Sequence, residues 1–306
     1  MTAKKLWRGI AVTILLLLSV LAVSVYWLFY DTGPSPRAPY RLDLAAVRAA
    51  ALRVPGPQPS RIEYEIVSHD AVPRIAMVGR TGWNKIDLVR ASYRAVFPDR
   101  AIIIDTGYDE QAARNVGADR FDRAAYRRVM RGLDGASLIV VTHEHGDHLG
   151  GALTSPHLAQ FLPRLLLTRA QADSPQAPPW PASLKARLRP FDYPAIAAIA
   201  PGIVLIKAPG HTPGSQMVYV HEADGREFLF LGDAASMADN VHLRHQRSRY
   251  VTTFISGDDR AAVAAQLQAI AAVGRENPAL ILVPGHDGAT IEALAAQGVL
   301  ERNFRF

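Results

Sequence analysis

The stretch VVTHEHGDHLGG, residues 140–151, concentrates metal-binding side chains directly after a run of aliphatic residues. Within six positions it places three of the chain's ten histidines and one aspartate, namely His143, His145, Asp147 and His148. In an extended segment, side chains two residues apart point to the same side. Gly146 lets the backbone bend closely, so that the later two side chains can face a second centre. The pattern predicts a buried strand that ends in a metal-binding turn.

The composition limits the chemistry available to the chain. Its 306 residues, enough for one large domain or two small ones, contain no cysteine, which excludes disulfides, zinc–thiolate sites and a cysteine nucleophile. Any metal ion must therefore be held by histidine, aspartate or glutamate. The net charge of +6 is mild and no long basic run is present, so we expect no nucleic-acid partner.

The N-terminal segment has the pattern of a membrane anchor. Lys4, Lys5 and Arg8 precede an uncharged stretch, residues 9–30, which as a helix would span roughly 30 Å, the thickness of a hydrocarbon core. Aromatic residues cluster at its far end, where the headgroup region favours them. The basic flank predicts a single-pass anchor with the catalytic domain on the non-cytoplasmic side, periplasmic or extracellular. A signal peptide cleaved near Ala22 is the alternative, although cleavage there would expose the apolar VYWLFY.

The rest of the chain divides into a spacer and a packed domain. Residues 31–60 are rich in proline and glycine, which predicts a linker. Within the linker, LDLAAVRAAALR, residues 42–53, has the spacing of one short helix. Residues 61–306 are expected to form the catalytic domain, after residues 1–30 as the anchor.

The catalytic domain reads as strands first and then as strands mixed with helices. Early strands are predicted at RIEYEIV, RIAMVG, DLVRASYRAVF, AIIID and ASLIVV, and later ones at LLLT, GIVLIKAPG and ALILVPGHD. QMVYVHEADGREFLFLGD is predicted to form a hairpin around ADG. Helices are predicted at RFDRAAYRRVM, ending at Gly132, and at residues 258–278, with Asp258 as the N-cap. This order favours sheets packed together and flanked by helices.

Five strand-like segments end in polar side chains. They are IIIDTG, LIVVTHEHGDH, LIKAPGHTPGS, FLFLGD and LILVPGHD. The last three contribute His211, Asp233 and His286. With the opening cluster, these residues supply five histidines and two aspartates, which is too many for one tetrahedral ion and enough for two ions bridged by a carboxylate.

In these residues the chain resembles the metallo-β-lactamase superfamily, over roughly residues 61–296. The resemblance implies an αββα sandwich of two packed mixed sheets flanked by helices. It further implies a first metal on His143, His145 and His211. A second metal would lie on Asp147, His148 and His286, with Asp233 bridging the two. Asp105 in IIIDTG resembles a structural motif of the family and is not expected to be a ligand.

Such a site predicts a metal-dependent hydrolase. A water bridging two divalent ions, expected to be Zn with Mn or Fe as alternatives, would lose a proton near neutral pH and supply a hydroxide nucleophile. Asp147 is the expected proton carrier. Thr142 and Thr212 are candidates for orienting the ligand rings. The expected substrate is a small molecule, namely an ester, lactone or thioester.

The segment PGHTPGSQMVYV looks like the lactonase-type branch of the family, which includes acyl-homoserine lactonases. Those enzymes carry a substrate-binding tyrosine three residues beyond the bridging aspartate, where this chain has Ser236. Together with Ser236, His242 and His245 are candidate substrate contacts, because their segment follows Asp233. A β-lactamase or phosphodiesterase of the same fold stays an alternative, as does, with less support, a di-iron redox protein. The oligomeric state is open.

Overall fold

Twelve strands form two sheets in the computed structural model, which describes residues 3–31 and 33–306. The strands are β1 (Arg61–Pro73), β2 (Lys85–Val96), β3 (Ala101–Ile104), β4 (Arg120–Phe121), β5 (Leu138–Val140), β6 (Leu165–Leu166), β7 (Ile196–Ala200), β8 (Ile203–Lys207), β9 (Gln216–His221), β10 (Glu227–Gly232), β11 (Leu280–Pro284) and β12 (Glu301–Arg302). The first sheet has the order β12-β1-β2-β3-β5-β6, with β4 also paired to β1. The second sheet has the order β11-β10-β9-β8-β7.

The structure has thirteen α-helices in the part of the chain that it describes, and several of them cover the outer faces of the sheets. They are α1 (Ala3–Val25), α2 (Leu44–Ala51), α3 (Arg74–Met77), α4 (Glu110–Val116), α5 (Arg123–Gly135), α6 (Gly146–Thr154), α7 (Leu158–Phe161), α8 (Arg169–Ala172), α9 (Ala182–Lys185), α10 (Ala238–Leu243), α11 (Arg249–Phe254), α12 (Arg260–Glu276) and α13 (Gly288–Ala296). Residues of α5, α6 and α7 pack on the first sheet, and residues of α2, α10 and α12 pack on the second. The αββα architecture predicted from the sequence is confirmed.

The main core lies between the two sheets. It contains side chains from the inner faces of both, and Tyr93 of β2 meets Phe230 of β10 with ring centroids 4.7 Å apart. Alternate residues of β1 and β10 also face the outer helices, so both strands are buried along most of their length. Burial on two faces explains the continuous apolar run FLFL of β10. β1 keeps its alternation, because its buried Glu63 and Glu65 are paired with Arg94 and Arg128.

Strand direction brings the polar loops together. β3 and β5 are parallel neighbours in the first sheet, and β10 and β11 are parallel neighbours in the second. The segments that follow parallel neighbours leave the same edge of a sheet. Those segments begin at Asp105, Val141, Asp233 and Gly285. The loop between β8 and β9, residues 208–215, adds a fifth segment.

The N-terminal helix stands apart from the packed layers. Trp7–Tyr30, which includes a π-helical turn at Tyr26–Tyr30, is long and apolar enough to cross a membrane, and none of its most apolar window is buried. A signal sequence has the same properties. The end of this helix touches the domain, where the backbone N–H of Arg80 donates to the carbonyl of Phe29 over 2.9 Å.

The segment predicted as a linker is part of the packed structure. α2 confirms the expected short helix, and Leu44 and Val47 on its buried face belong to the core under the second sheet. The N–H of Gly202 donates to the carbonyl of Ala51 over 2.9 Å. The boundary predicted at Arg61 therefore falls inside the packed unit, because the apolar face of α2 finds its partner only in strands far along the chain.

Three local predictions differ from the structure. RIAMVG forms the helical turn α3 instead of a strand. The N–H groups of Arg74 and Ile75 donate to the carbonyls of Asn84 and Gly82, and the N–H of Val78 closes the turn on the carbonyl of Arg74. Gly132 does not end its helix: α5 continues to Gly135, and Gly132 lies where an added Cβ would be 3.0 Å from Phe304. The long helix α12 is capped by Asp259, one residue after the expected N-cap.

A buried glutamate in the β9–β10 hairpin predicts a pH-dependent stability. Burial raises the pKa of Glu222 to about 7, although Arg226 opposes the change. Since the folded pKa exceeds the unfolded value, the stabilising contribution is complete below the unfolded pKa of about 4.3 and is lost as pH rises through 7. We expect Glu222→Gln to flatten the fall in melting temperature between pH 5 and 8. The exposed Glu276→Gln should leave that fall unchanged, and an equal effect of both variants would contradict this origin.

Candidate metal centre

Seven side chains from four segments converge at the shared edge of the two sheets. The segment after β5 supplies His143 and His145 before the first turn of α6, which supplies Asp147 and His148. The β8–β9 loop supplies His211, and the segments after β10 and β11 supply Asp233 and His286. Their ligand atoms form three groups, each with all atoms within 4.8 Å of one another: His143, His145 and His211; His143, Asp147 and His148; His148, Asp233 and His286.

Three imidazole nitrogens meet in the first group. Nε2 of His211 lies 2.9 Å from Nδ1 of His145 and 3.2 Å from Nε2 of His143, and the latter two nitrogens are 3.1 Å apart. Two nitrogens at about 2.1 Å from a tetrahedral ion would be about 3.4 Å apart. The triangle is therefore close to the face of a coordination tetrahedron.

A second set of ligand atoms, from Asp147, His148, Asp233 and His286, combines imidazoles with carboxylates. Nε2 of His286 lies 3.3 Å from Nε2 of His148, 2.9 Å from Oδ1 of Asp233 and 3.7 Å from Oδ2 of Asp147. The other oxygen of Asp233, Oδ2, is 3.5 Å from Nε2 of His211. The two oxygens of Asp233 thus face the two groups separately, as a bridging carboxylate would.

The hydrogen bonds of Nδ1 in His211 and His286 bear on which ring nitrogen carries the proton. Nδ1 of His211 lies 3.0 Å from Oδ1 of Asp258, and Nδ1 of His286 lies 2.8 Å from the carbonyl of Val89. The carbonyl of Val89 can only accept, so Nδ1 of His286 carries the proton and its Nε2 presents a lone pair. Nδ1 of His211 also lies 2.5 Å from the donor Nη2 of Arg247, so Asp258 and Arg247 favour opposite tautomers of this ring. Oδ1 of Asp233 is buried without a hydrogen-bond donor although Nε2 of His286 is close. A cation between Nε2 of His286 and Oδ1 of Asp233 would stabilise this contact of two acceptors, so the residues fit divalent metal ions.

The histidines differ in charge at neutral pH. Burial, reinforced by His148 and His211, holds the pKa of His143 well below its usual range, and burial lowers the pKa of His145 to about 4. Burial also disfavours the charged form of His148, but the carboxylates of Asp105 and Asp147 outweigh it and raise its pKa to about 9. The first two rings are already in the neutral form that binds metal, whereas a metal ion on His148 must displace a proton.

Asp105 stabilises the turn that carries His143 and His148 through hydrogen bonds on the side away from the ligand atoms. Its Oδ1 accepts from the backbone N–H of Thr142 over 2.6 Å, and its Oδ2 lies 2.9 Å from both Oγ1 of Thr142 and Nδ1 of His148. The residue has a φ of 59°, a left-handed conformation that aspartate tolerates better than most residues. Asp105 is thus not placed among the metal-facing atoms but orients one of the rings, in line with the structural role that the resemblance implied.

The two threonines have different partners. Oγ1 of Thr142 lies 3.3 Å from Nδ1 of His143 and 3.2 Å from Nδ1 of His148, so this hydroxyl does contact ligand rings. Thr212 instead donates to the buried carboxylate of Glu144 over 2.8 Å and contacts Ser215. Glu144 therefore ties the HxH turn to the β8–β9 loop.

Arg247 and Asp258 are functional residues that the sequence did not reveal. The guanidinium of Arg247 is buried and donates to Oδ2 of Asp233 over 2.6 Å and to Oδ2 of Asp258 over 2.8 Å. Asp258 in turn holds His211, so one arginine connects the bridging carboxylate to the first group. The signal in the sequence is weak: the segment after Asp233 predicts candidate substrate contacts at His242 and His245, and no local pattern singles out Arg247.

Two of the three candidate substrate contacts line cavities that do not contain the metal-facing residues. His242 is exposed and lines a cavity of about 550 Å³ with Leu231, Val241 and Leu282, and none of the seven metal-facing residues lines that cavity. His245 lines a different cavity, beside Arg80 and the end of the N-terminal helix.

Ser236 is near the centre but hidden. Its side chain is 1% exposed, and its hydroxyl receives a hydrogen bond of 3.3 Å from Arg247. In this geometry Ser236 contacts Arg247, the hydrogen-bond partner of Asp233, and presents no group to solvent.

Replacing Arg247 with methionine should damage the centre indirectly. The buried carboxylates of Asp233 and Asp258 would lose their shared cation, which we expect to cost about 3 kcal/mol of stability and about 10–100-fold in metal affinity. Thermal unfolding and metal titration would measure both effects, with the exposed Arg120→Met as control. Unchanged or tighter metal binding in the Arg247 variant would show that the guanidinium does not position the ligands.

Comparisons with known proteins agree on the fold. The family model of the metallo-β-lactamase superfamily matches residues 88–286. Among solved structures, a quorum-quenching N-acyl homoserine lactone lactonase is 17% identical, covers 77% of this chain and 95% of its own, and gives a TM-score of 0.61. A probable metal-dependent hydrolase from Staphylococcus aureus is 16% identical, covers 75% and 91%, and gives 0.55.

A hydrolase of the beta lactamase superfamily is 15% identical, covers 77% of this chain and 92% of its own, and gives a TM-score of 0.51. No curated protein matches the chain. At such identities, likeness to solved structures establishes the fold alone. The family model establishes the membership, because it spans most of the chain and includes the histidine–aspartate cluster. The chain belongs to the metallo-β-lactamase superfamily and is a metal-dependent hydrolase.

Proposed function

We propose that the chain holds two divalent metal ions, Zn in the first instance, and hydrolyses a small ester, lactone or thioester. One observation carries the proposal: nitrogens of five histidines and oxygens of two aspartates converge at the edge of the sheets, in groups whose atoms lie within 4.8 Å of one another. Two divalent cations would stabilise this arrangement once the proton on His148 is displaced.

The proposed ligands follow the geometry. His143, His145 and His211 would hold the first ion, since their nitrogens form the closest triangle. Asp147, His148 and His286 would hold the second. Asp233 would bridge the two ions, one oxygen to each, with Arg247 as the outer partner of Oδ2.

Two bound dications supply Lewis acidity, which polarises a substrate carbonyl and acidifies a water molecule. The chain's own part in proton transfer falls to Asp147, whose side chain is the more exposed of the two aspartates. Burial raises the pKa of Asp147, but His148, His286 and Arg90 outweigh it and hold the pKa low. The carboxylate is therefore ionised at neutral pH and can accept a proton before passing it to the leaving oxygen or sulfur.

The substrate proposal rests on the likeness of this fold to solved lactonases and on one residue, Ser236, at which this chain differs from them. A lactonase of this fold has been solved with the product N-hexanoyl-L-homoserine at its catalytic metal centre, so the fold accommodates a small acyl compound there. In this chain the position three residues beyond the bridging aspartate is the buried Ser236, which argues for a different contact to the reacting group. Other esters and thioesters are therefore proposed beside lactones.

The location is proposed from the N-terminal helix. Trp7–Tyr30 would stay in the membrane as a single span, and the basic residues before it would hold its start in the cytoplasm. The catalytic domain would then lie on the periplasmic or extracellular side.

A substrate screen with metal analysis tests this function. Full-length protein in detergent would be freed of metal, reloaded separately with Zn, Mn or Fe, and assayed on lactones, thioesters, simple esters, β-lactams and phosphodiesters. We expect about two ions per chain and turnover in the first three classes. Turnover confined to β-lactams or phosphodiesters would favour one of those activities, and stable binding of less than about one ion in two chains would contradict the dimetal proposal.

A further inference from the structure

The end of the N-terminal helix is fastened to the catalytic domain by a continuous series of aromatic contacts. The ring of Phe29 lies 4.9 Å from that of Trp83, in the loop before β2, and 5.9 Å from that of Tyr250 in α11. Tyr250 in turn lies 6.2 Å from Phe254 at the end of the same helix. These rings and the adjacent Ile255 form one surface, which we name the aromatic face.

The aromatic face is exposed although it is apolar. Trp83 is 54% exposed, Tyr250 44%, Phe254 64% and Ile255 66%. Single exposed apolar residues are ordinary, but a contiguous group of large ones marks a binding surface. A partner of this surface must itself present an apolar region to the aromatic face.

Polar contacts fix this surface relative to the anchor. Asp31, directly after the helix, forms an ion pair with Arg249 and lies 3.5 Å from the guanidinium of Arg260. The guanidinium of Arg249 also lies 4.5 Å from the ring of Trp27. The helix therefore cannot swing freely from the domain, and the aromatic face stays beside the point where the helix leaves the apolar span.

The charge around the aromatic face suits a lipid headgroup layer. Residues 79–86 and 249–257, which carry the face, contain no acidic residue. Arg80 and Lys85 flank Trp83 and are exposed. Tryptophan and tyrosine favour the membrane interface, where basic side chains also interact favourably with phosphate groups.

We propose that the aromatic face inserts into the headgroup region of the membrane that the N-terminal helix spans, so that the domain has a second membrane contact. The inference rests on the proposed anchor. A series of contacts joins the end of the anchor to the metal centre: Asp31 lies 3.5 Å from Arg260, Arg260 donates to the carbonyl of Arg247 over 3.2 Å, and Arg247 donates to Asp233.

Single-cysteine labelling of the full chain tests the contact, since the chain has no cysteine of its own. Phe254→Cys and Trp83→Cys would report the aromatic face, and Leu16→Cys the span. Leu52→Cys is the matched control: Leu52 is also 64% exposed but follows α2 beside the start of β8, whereas the metal centre lies beyond the end of that strand. Each variant would carry an environment-sensitive fluorophore in phosphatidylcholine–phosphatidylglycerol nanodiscs, with and without spin-labelled lipid.

We expect spin-labelled lipid to quench the labels at positions 16, 83 and 254 at least threefold more than the label at position 52. Quenching at position 16 with none above the control at positions 83 and 254 would overturn the aromatic-face contact while leaving the anchor intact. Absence of quenching at position 16 would overturn the anchor and, with it, the inference.

Discussion

Asp233→Asn is expected to lower hydrolysis by at least about 10³-fold while the fold persists. The carboxylate faces both groups of ligands, and the pKa of its side chain is held well below the usual range by His286, Arg247 and His211 against the effect of burial. An amide has the same shape but no charge with which to join two cations. Losing that charge removes several kcal/mol of stabilisation, and about 4 kcal/mol corresponds to 10³-fold in rate.

The measurement combines activity with metal content. Elemental analysis of the Asp233→Asn variant should give about one ion per chain or fewer, while circular dichroism stays close to that of the unchanged protein. Asp99→Asn, at an exposed position beside Arg100, is the matched control and should alter neither quantity. Full activity with two ions in the Asp233 variant would rule out a bridging role.

Asp105→Ala is expected to have the largest effect on stability. The substitution removes three buried hydrogen bonds, to two groups of Thr142 and to His148, and each bond to a charged group contributes about 1.5–3 kcal/mol. It also places alanine at a φ of 59°, which costs about 1 kcal/mol or more. A total loss above about 4 kcal/mol is a large fraction of a protein's usual stability.

Asp105→Asn separates the fold from the metal. Asparagine tolerates the left-handed conformation and can still accept from the N–H of Thr142, so thermal unfolding should change much less than in the alanine variant. Its amide cannot accept from both Thr142 and His148, and we expect a 10–100-fold loss in metal affinity from the second group. If both variants unfold at the temperature of the unchanged protein, the hydrogen bonds of Asp105 do not support the turn.

The fold and the seven metal-facing residues were predictable because their signals are local. The spacing of His143, His145, Asp147 and His148 lies within one turn, and each remaining residue follows a short apolar strand. A strand end limits where the next side chain can point. The family resemblance then supplied the pairing of those strand ends, and the αββα sandwich follows from that pairing.

Contacts made by ordinary residues were not predictable. Asp258 and Asp259 are adjacent and chemically identical, yet Asp259 caps α12 while Asp258 binds Arg247 and contacts His211. The sequence pattern favoured Asp258 as the cap, because nothing in the local spacing records a partner 47 residues away. The contacts of Arg247 and of the packed side of α2 are likewise made with distant segments, so no local pattern predicts them.

By itself, the sequence determined the chemistry of this protein: which side chains can bind metal, in what local order, and that an apolar helix precedes them. The tertiary structure alone decided which groups became neighbours, including Arg247 behind Asp233 and Phe29 against Trp83. The physical reason is that ligand type and strand periodicity are properties of short segments. Burial of a guanidinium or of an aromatic ring depends instead on surfaces that distant segments bring together.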